Sequence, residues 1–254
     1  MKLYHALQAE ILKYKNTWAL YLSIGAPLFI TSVMFLVFYF KGQEILQDTP
    51  EPWAIWSSYN INSGLSILYP LFLILITVLV NNTEHSNNSW KHIFALPVSK
   101  TTIYRSKYLF VLLLVFFSIC IYTILILAYG NALAWFRPEL NFVPFEYTLR
   151  ILNLVAQGFA AALGILSIQF FVSWRWRSVV VPIGLGMAMF VFSMVLSRWE
   201  YIVYFPYAYP LFAAVKANFD DSVAISAQVW YGCGVFVFMY LVGLFDTKYR
   251  NIVD

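Results

Sequence analysis

Apolar residues run through this chain in long blocks separated by short polar stretches, and the blocks predict its architecture. An α-helix rises about 1.5 Å per residue, so about 20 residues cross a ~30 Å hydrocarbon layer. Six blocks reach or approach that length: Trp18–Phe40, Asn60–Val80, Lys107–Gly130, Leu149–Val172, Ser178–Leu196 and the shorter Val229–Phe245. They are continuous rather than alternating, which predicts helices and excludes the strands of a closed barrel. No polar stretch is long enough for a separate folded domain. The expectation is an all-α membrane protein: one domain, residues 1–254, with six transmembrane helices.

Ahead of the first block the pattern changes. Leu3, Leu7, Ile11, Tyr14 and Trp18 recur at helical spacing, with Lys2, Glu10, Lys13 and Lys15 off that face. Residues 1–17 therefore read as an amphipathic helix lying in the membrane interface, the plainer alternative being a lead-in to the first span. The first block is too long for a signal peptide and lacks an Ala-x-Ala-like cleavage site, so it is expected to be a retained span.

Composition strengthens the membrane reading. Hydrophobic residues make up 61% of the chain and charged residues 11%, against roughly 25% charged in soluble domains. The net charge of +4 is unevenly placed. With the N-terminus inside, the inner segments hold Lys2, Lys13, Lys15, Lys91, Lys100, Arg105, Lys107, Arg175, Arg177, Lys248 and Arg250, and the outer ones only Lys41, Arg137, Arg150, Arg198 and Lys216. That bias predicts a multi-pass protein of the cell (inner) membrane with both termini cytoplasmic. It makes the basic charge an insertion signal and a contact to membrane lipids rather than a nucleic-acid footprint. Trp53, Trp56 and Tyr59, and on the inner side Trp174 and Trp176, read as interfacial aromatics. Cys120 and Cys233 lie within apolar blocks and read as small buried hydrophobes. No internal repeat supports an inverted-repeat secondary transporter.

The polar segment 81–106 carries the most information. Thr83 is placed to cap a helix starting at Glu84, whose carboxylate suits a helix N-terminus. Trp90, Ile93, Phe94 and Pro97 make an apolar ridge beside Lys91 and His92; Pro97 stops the helix, and Ser99 is placed to cap the third span. A short helix with an aromatic tip suits docking into a partner's groove; a loop anchored in lipid headgroups is the alternative.

Glu84, Trp90 and the run Leu96-Pro97-Val98-Ser99-Lys100 together resemble the cytoplasmic loop of type-2 ABC exporter permeases. The opening Leu7-Gln8-Ala9-Glu10-Ile11-Leu12-Lys13 is similar to the start of that family, especially its bacitracin- and lantibiotic-immunity branch, as is the run Pro206-Tyr207-Ala208-Tyr209-Pro210 before the last span. The resemblance implies two six-helix protomers served by two cytoplasmic ABC ATPase subunits. Residues 1–17 would be the connecting helix. The loop 81–106 would hold the coupling helix, Glu84–Leu96, with Glu84, Trp90, Ile93, Phe94 and Pro97 as the ATPase-coupling residues. Residues 197–228 would hold extracellular re-entrant helices. The chain has no Gly-x-x-x-x-Gly-Lys-Ser/Thr phosphate loop, so ATP and Mg belong to the partner ATPase and this chain is expected to carry no cofactor.

No other chemistry assembles from the residues. His85 and His92 are two helical turns, about 10 Å, apart and cannot share one ion, so no metal site is expected. No span interior carries an Asp or Glu and no catalytic set forms at one depth, which argues against an enzyme and against ion-coupled transport. Family analogy puts the substrate path at the dimer interface, lined by the second and fifth spans: Asn62, Ser66 and Tyr69 from one, and Pro182, Gly186, Met189 and Ser193, on one helical face, from the other. Ordinary helix packing is the competing reading for each. Ala156, Ala160 and Gly164 form a small-residue stripe assigned to packing.

The expected function is thus the permease subunit of an ATP-driven exporter that moves an amphiphile such as a peptide antibiotic. A non-transporting membrane scaffold that recruits a cytoplasmic partner is the alternative from another class. Permease of a sodium-exporting ABC system is a third reading, disfavoured by the missing intramembrane carboxylates.

Overall fold

The protein was analysed as a computed structural model that describes residues 2–47, 51–86, 99–176, 178–213 and 225–249. The described residues form helices and turns with no strand. Helix α1, Lys2–Lys13, leads through a tight turn into α2, Trp18–Leu46. Asn16 makes that turn at φ 63°, a left-handed conformation that Asn tolerates better than most residues. The second crossing is α3, Pro52–Ser63, a π-turn over Gly64–Leu68, and α4, Tyr69–Ser86. Then follow α5, Lys100–Phe136, α6, Thr148–Arg175, α7, Val180–Val195, and α8, Ala227–Tyr249. The chain crosses the bundle six times, so α1 and the end of α8 lie at the same end.

Five crossings are long and apolar enough to span a membrane by themselves. The fifth differs: α7 has 16 residues, about 24 Å, instead of the expected Ser178–Leu196. The third outruns its apolar block at both ends, with 37 residues or about 55 Å: it starts after the expected cap Ser99, which accepts from the Thr102 N–H at 3.3 Å, and runs on to Phe136. Lys107, counted among the inner cations at the start of the apolar block, lies two turns inside α5 and is fully buried.

Packing in lipid cannot rely on expelling water, so close backbone approach and aromatic interlock hold such bundles together. Helix α6 lies against α8 where Gly232 meets the backbone of Ala160 and Ala161, and Gly164 faces Gly232. The small-residue stripe thus packs through Gly164 and Ala160, while Ala156 points outward. Three of the aromatics expected at the interface belong to the core instead. Trp53 and Trp56 are buried and donate to the carbonyls of Val143, at 2.7 Å, and Ile126, at 3.2 Å. Trp174 donates to Thr247 Oγ1 at 3.1 Å. For Trp53 and Trp56 the reason is Gly130 of α5, which opens a slot against which both indoles pack. Tyr59 and Trp176 stay exposed as expected.

Candidate functional site

At the α1 end, α4 runs out to Ser86 and α5 begins at Lys100, which sets the two helix ends on either side of residues 87–98. Trp90, Ile93, Phe94 and Pro97 lie outside the described residues. Glu84 is described only as part of the α4 backbone, and it does not start a new helix. Nothing between Val80 and Ser86 breaks the pattern, and the Thr83 hydroxyl bonds back to the Leu79 carbonyl at 3.0 Å instead of capping forward. The second span therefore projects six residues, nearly two turns, beyond the Val80 that the sequence pattern suggests.

The expected path residues separate into two environments. Asn62 is exposed and donates to Ser58 at 3.3 Å. Ser66 lies in the π-turn, buried, with no partner for its hydroxyl among the described residues. Tyr69 is buried against α5, its hydroxyl 3.5 Å from the Val115 carbonyl. Pro182, Gly186 and Ser193 face inward together with Phe190, while Met189 lies on the exposed side of α7. Spacing alone put Met189 on the same face; the actual stripe is 182–186–190–193. The second and fifth spans do meet, where a Cβ on Gly186 would sit 2.9 Å from Ile74 Cγ1.

Two features of this region were not legible beforehand. The first is the π-turn itself. Widening the helix by one residue disturbs the carbonyl ladder, and just before it the Asn60 carbonyl accepts both the Gly64 N–H and, at 2.6 Å, the Tyr122 hydroxyl from α5. Gly64 is required there: a Cβ would come within 2.0 Å of that hydroxyl. Pro27 of α2 stands across from the π-turn, and the two border an apolar cleft of about 20 Å³ with Tyr69, Phe72 and Ser118, room for roughly one water molecule. The second feature is a buried polar column between α4 and α6. Asn81 donates to Ser173 at 2.6 Å, Ser173 to the Thr77 carbonyl at 3.3 Å, and Gln169, one turn away, to the Tyr207 hydroxyl at 2.6 Å. Tyr207 comes from the turn Pro206–Ala208 beyond α7, so that segment folds back onto the bundle. Polar Gln169 inside an apolar block, and Asn81 directly after one, were the available signals.

A bundle of apolar helices with this polar seam fits many membrane proteins; the sequence match narrows it. Residues 6–194 match the family described as ABC-2 family transporter protein. The chain belongs to that ABC-2 family. No curated protein sequence matches it significantly. As an ABC-2 family protein it is a multi-pass membrane transport subunit rather than an enzyme, and the family implies partnership with an ABC ATPase. The match covers α1 from its second turn through α7, and so includes the helix ends around 87–98, the π-turn and the α4–α6 polar column.

Proposed function

We propose that this ABC-2 chain is the permease of an ATP-driven exporter, working as a dimer of permease protomers with two separate cytoplasmic ATPases and moving an amphiphile such as a peptide antibiotic. The α1 end is then cytoplasmic, and residues 87–98 dock the ATPase through Trp90, Ile93 and Phe94, with Pro97 ending the docking segment. The observation that carries the reading is that α4 ends at Ser86 and α5 begins after Ser99 at the α1 end of the bundle, with the apolar residues of 87–98 between them in the sequence. Closure of the ATPase pair on ATP would push on that segment, and two long helices would carry the displacement into the bundle. The π-turn opposite Pro27 is the place where the second span bends most readily. The segment around Tyr207 lies toward the outer end of the path and the inward stripe of Pro182, Gly186 and Ser193 runs along it, with Asn62, Ser66, Tyr69 and Met189 as cargo contacts near the dimer interface.

The test expresses the chain with the phosphate-loop ATPase of its own gene neighbourhood and measures complex recovery, ATP turnover and export, with bacitracin as the first cargo probe. Trp90→Ala should weaken ATPase association roughly thirtyfold in affinity, the loss of an anchor of about 2 kcal/mol, and so lower complex recovery while membrane insertion persists. Full assembly and coupled export in a Trp90→Ala, Phe94→Ala double variant would reduce 87–98 to a headgroup-anchored loop, whereas an assembled complex that exports nothing in the unaltered chain would favour the scaffold reading.

A further inference from the structure

Lysine is almost never fully buried without a partner, yet Lys107 of α5 is 0% exposed. Its Nζ lies 2.9 Å from Glu10 Oε2 of α1, a carboxylate itself only 12% exposed, and donates to the Tyr14 hydroxyl at 3.2 Å. The ammonium also stands 5.3 Å from the centre of the Tyr14 ring, which stacks on Phe110 of α5 at 4.8 Å. The Tyr14 hydroxyl in turn donates to the Val80 carbonyl of α4 at 2.5 Å. One cluster thus ties α1 and its exit turn to both helices that flank residues 87–98. Lys107 is seven residues inside α5 and Val80 six residues from the end of α4, which puts the cluster about 10 Å below those ends on each.

The same cluster decides which way α1 is rolled. Apolar spacing alone buries Leu3, Leu7, Ile11 and Tyr14 together. In the structure the inward face is Leu7, Glu10, Tyr14 and Thr17, whereas Ile11 is 49% and Leu12 72% exposed. Greasy contacts tolerate a change of roll, and a paired charge does not. Rolling α1 by one residue swings a side chain on its ~5–6 Å radius by roughly 8 Å, which leaves both charges buried and unpaired.

We propose that Glu10, Lys107 and Tyr14 form a positioning latch: it fixes the roll of α1 so that Ile11 and Leu12 enter the acyl layer of the surrounding leaflet, and it makes α1 move with the ends of α4 and α5. The anchoring rests on geometry alone; the shared movement rests on the coupling role proposed above for 87–98.

The anchoring is read on the full-length permease in phosphatidylcholine vesicles, without any ATPase. With Cys120 and Cys233 replaced by Ser, a nitroxide on Leu12→Cys reports collisions with oxygen against a water-soluble nickel chelate. In the otherwise unaltered chain oxygen should dominate. Glu10→Gln and Lys107→Met should each shift the ratio toward the chelate by about twofold or more, the lower end of the coupling expected for contacting charges. The reversed pair, Glu10→Lys with Lys107→Glu, should restore it. If the reversed pair does not insert, the neutral pair Glu10→Gln with Lys107→Met replaces it and should shift the ratio by less than the product of the two single shifts. An unchanged ratio in both single variants overturns the latch, and so do independent, multiplying effects in the pair. ATP turnover in the assembled transporter is measured separately on the same variants: turnover uncoupled from export in the single variants and recoupled in the reversed pair supports the shared movement. Normal coupling in a chain whose Leu12 has shifted overturns that half alone. The vesicle result stands whatever becomes of the exporter reading.

Discussion

The close approach of Gly232 on α8 to the α6 backbone offers a graded test of how the bundle is held together. A Cβ added at Gly232 of α8 would sit 2.6 Å from the Ala161 carbonyl oxygen, 2.9 Å from Ala161 Cα and 3.0 Å from the Ala160 carbonyl oxygen of α6. All three are backbone atoms, so no side chain can swing aside. Reaching an ordinary contact of 3.4 Å or more requires α6 and α8 to part by up to 0.8 Å, the difference between 3.4 and 2.6 Å. A gap of 0.5–1 Å forfeits a quarter to a half of each van der Waals contact, and overpacking of this kind costs about 1–3 kcal/mol. Gly232→Ala should therefore lower the midpoint of thermal unfolding in detergent, followed by circular dichroism, by about 4–8 °C for a 2 kcal/mol loss. Gly164→Ala, whose Cβ would find its nearest neighbour at 3.4 Å, should cost far less. Gly234→Ala, with nothing within 4 Å, should be neutral or stabilise by up to about 1 kcal/mol through helix propensity. Equal shifts at 232 and 234, or none at 232, would refute close packing as what joins these helices.

Other expectations are tested independently. Tyr207→Phe removes the partner of Gln169 Nε2 and leaves the buried amide, whose Oε1 has no partner among the described residues, without a side-chain bond. The loss should be about 1–3 kcal/mol in thermal unfolding, with faster thiol labelling of a cysteine placed at Ala213. Single cysteines at Ser86 and Asn251 should react with an impermeant thiol reagent only after lysis, and one at Asp48 should react in intact cells once any outer membrane is permeabilised; labelling of position 251 from outside would break the six-span topology. Export should continue when proton and sodium gradients are collapsed but ATP is maintained, and its loss would point to a secondary mechanism.

The sequence by itself determined the class of solvent and the number of crossings. Length and hydropathy suffice for that, because a lipid-embedded backbone must bond within its own helix and an apolar block of about 20 residues has few alternatives. Ser99 as a cap was legible for the same local reason, since its hydroxyl serves an amide three residues on. The ABC-2 family was legible through short motifs around 84–100 and 7–13.

What only the tertiary structure decided concerns partners far apart in the chain. Periodicity gives a helix face but not its azimuth, so Met189 was grouped with Gly186 although the buried position is Phe190, and Glu10 was placed on the polar side of α1 although it faces Lys107 at a separation of 97 residues. Trp53 and Trp56 carry the composition of interfacial anchors, and it is Gly130 on another helix that takes them into the core. The π-turn leaves almost no mark in the sequence, because the Tyr122 hydroxyl that bonds the Asn60 carbonyl and fills the space at Gly64 comes from across the bundle. In lipid the apolar faces of a helix are nearly equivalent energetically. Steric fit and buried polar pairs between distant residues therefore choose among them, and a single chain pattern cannot record that choice.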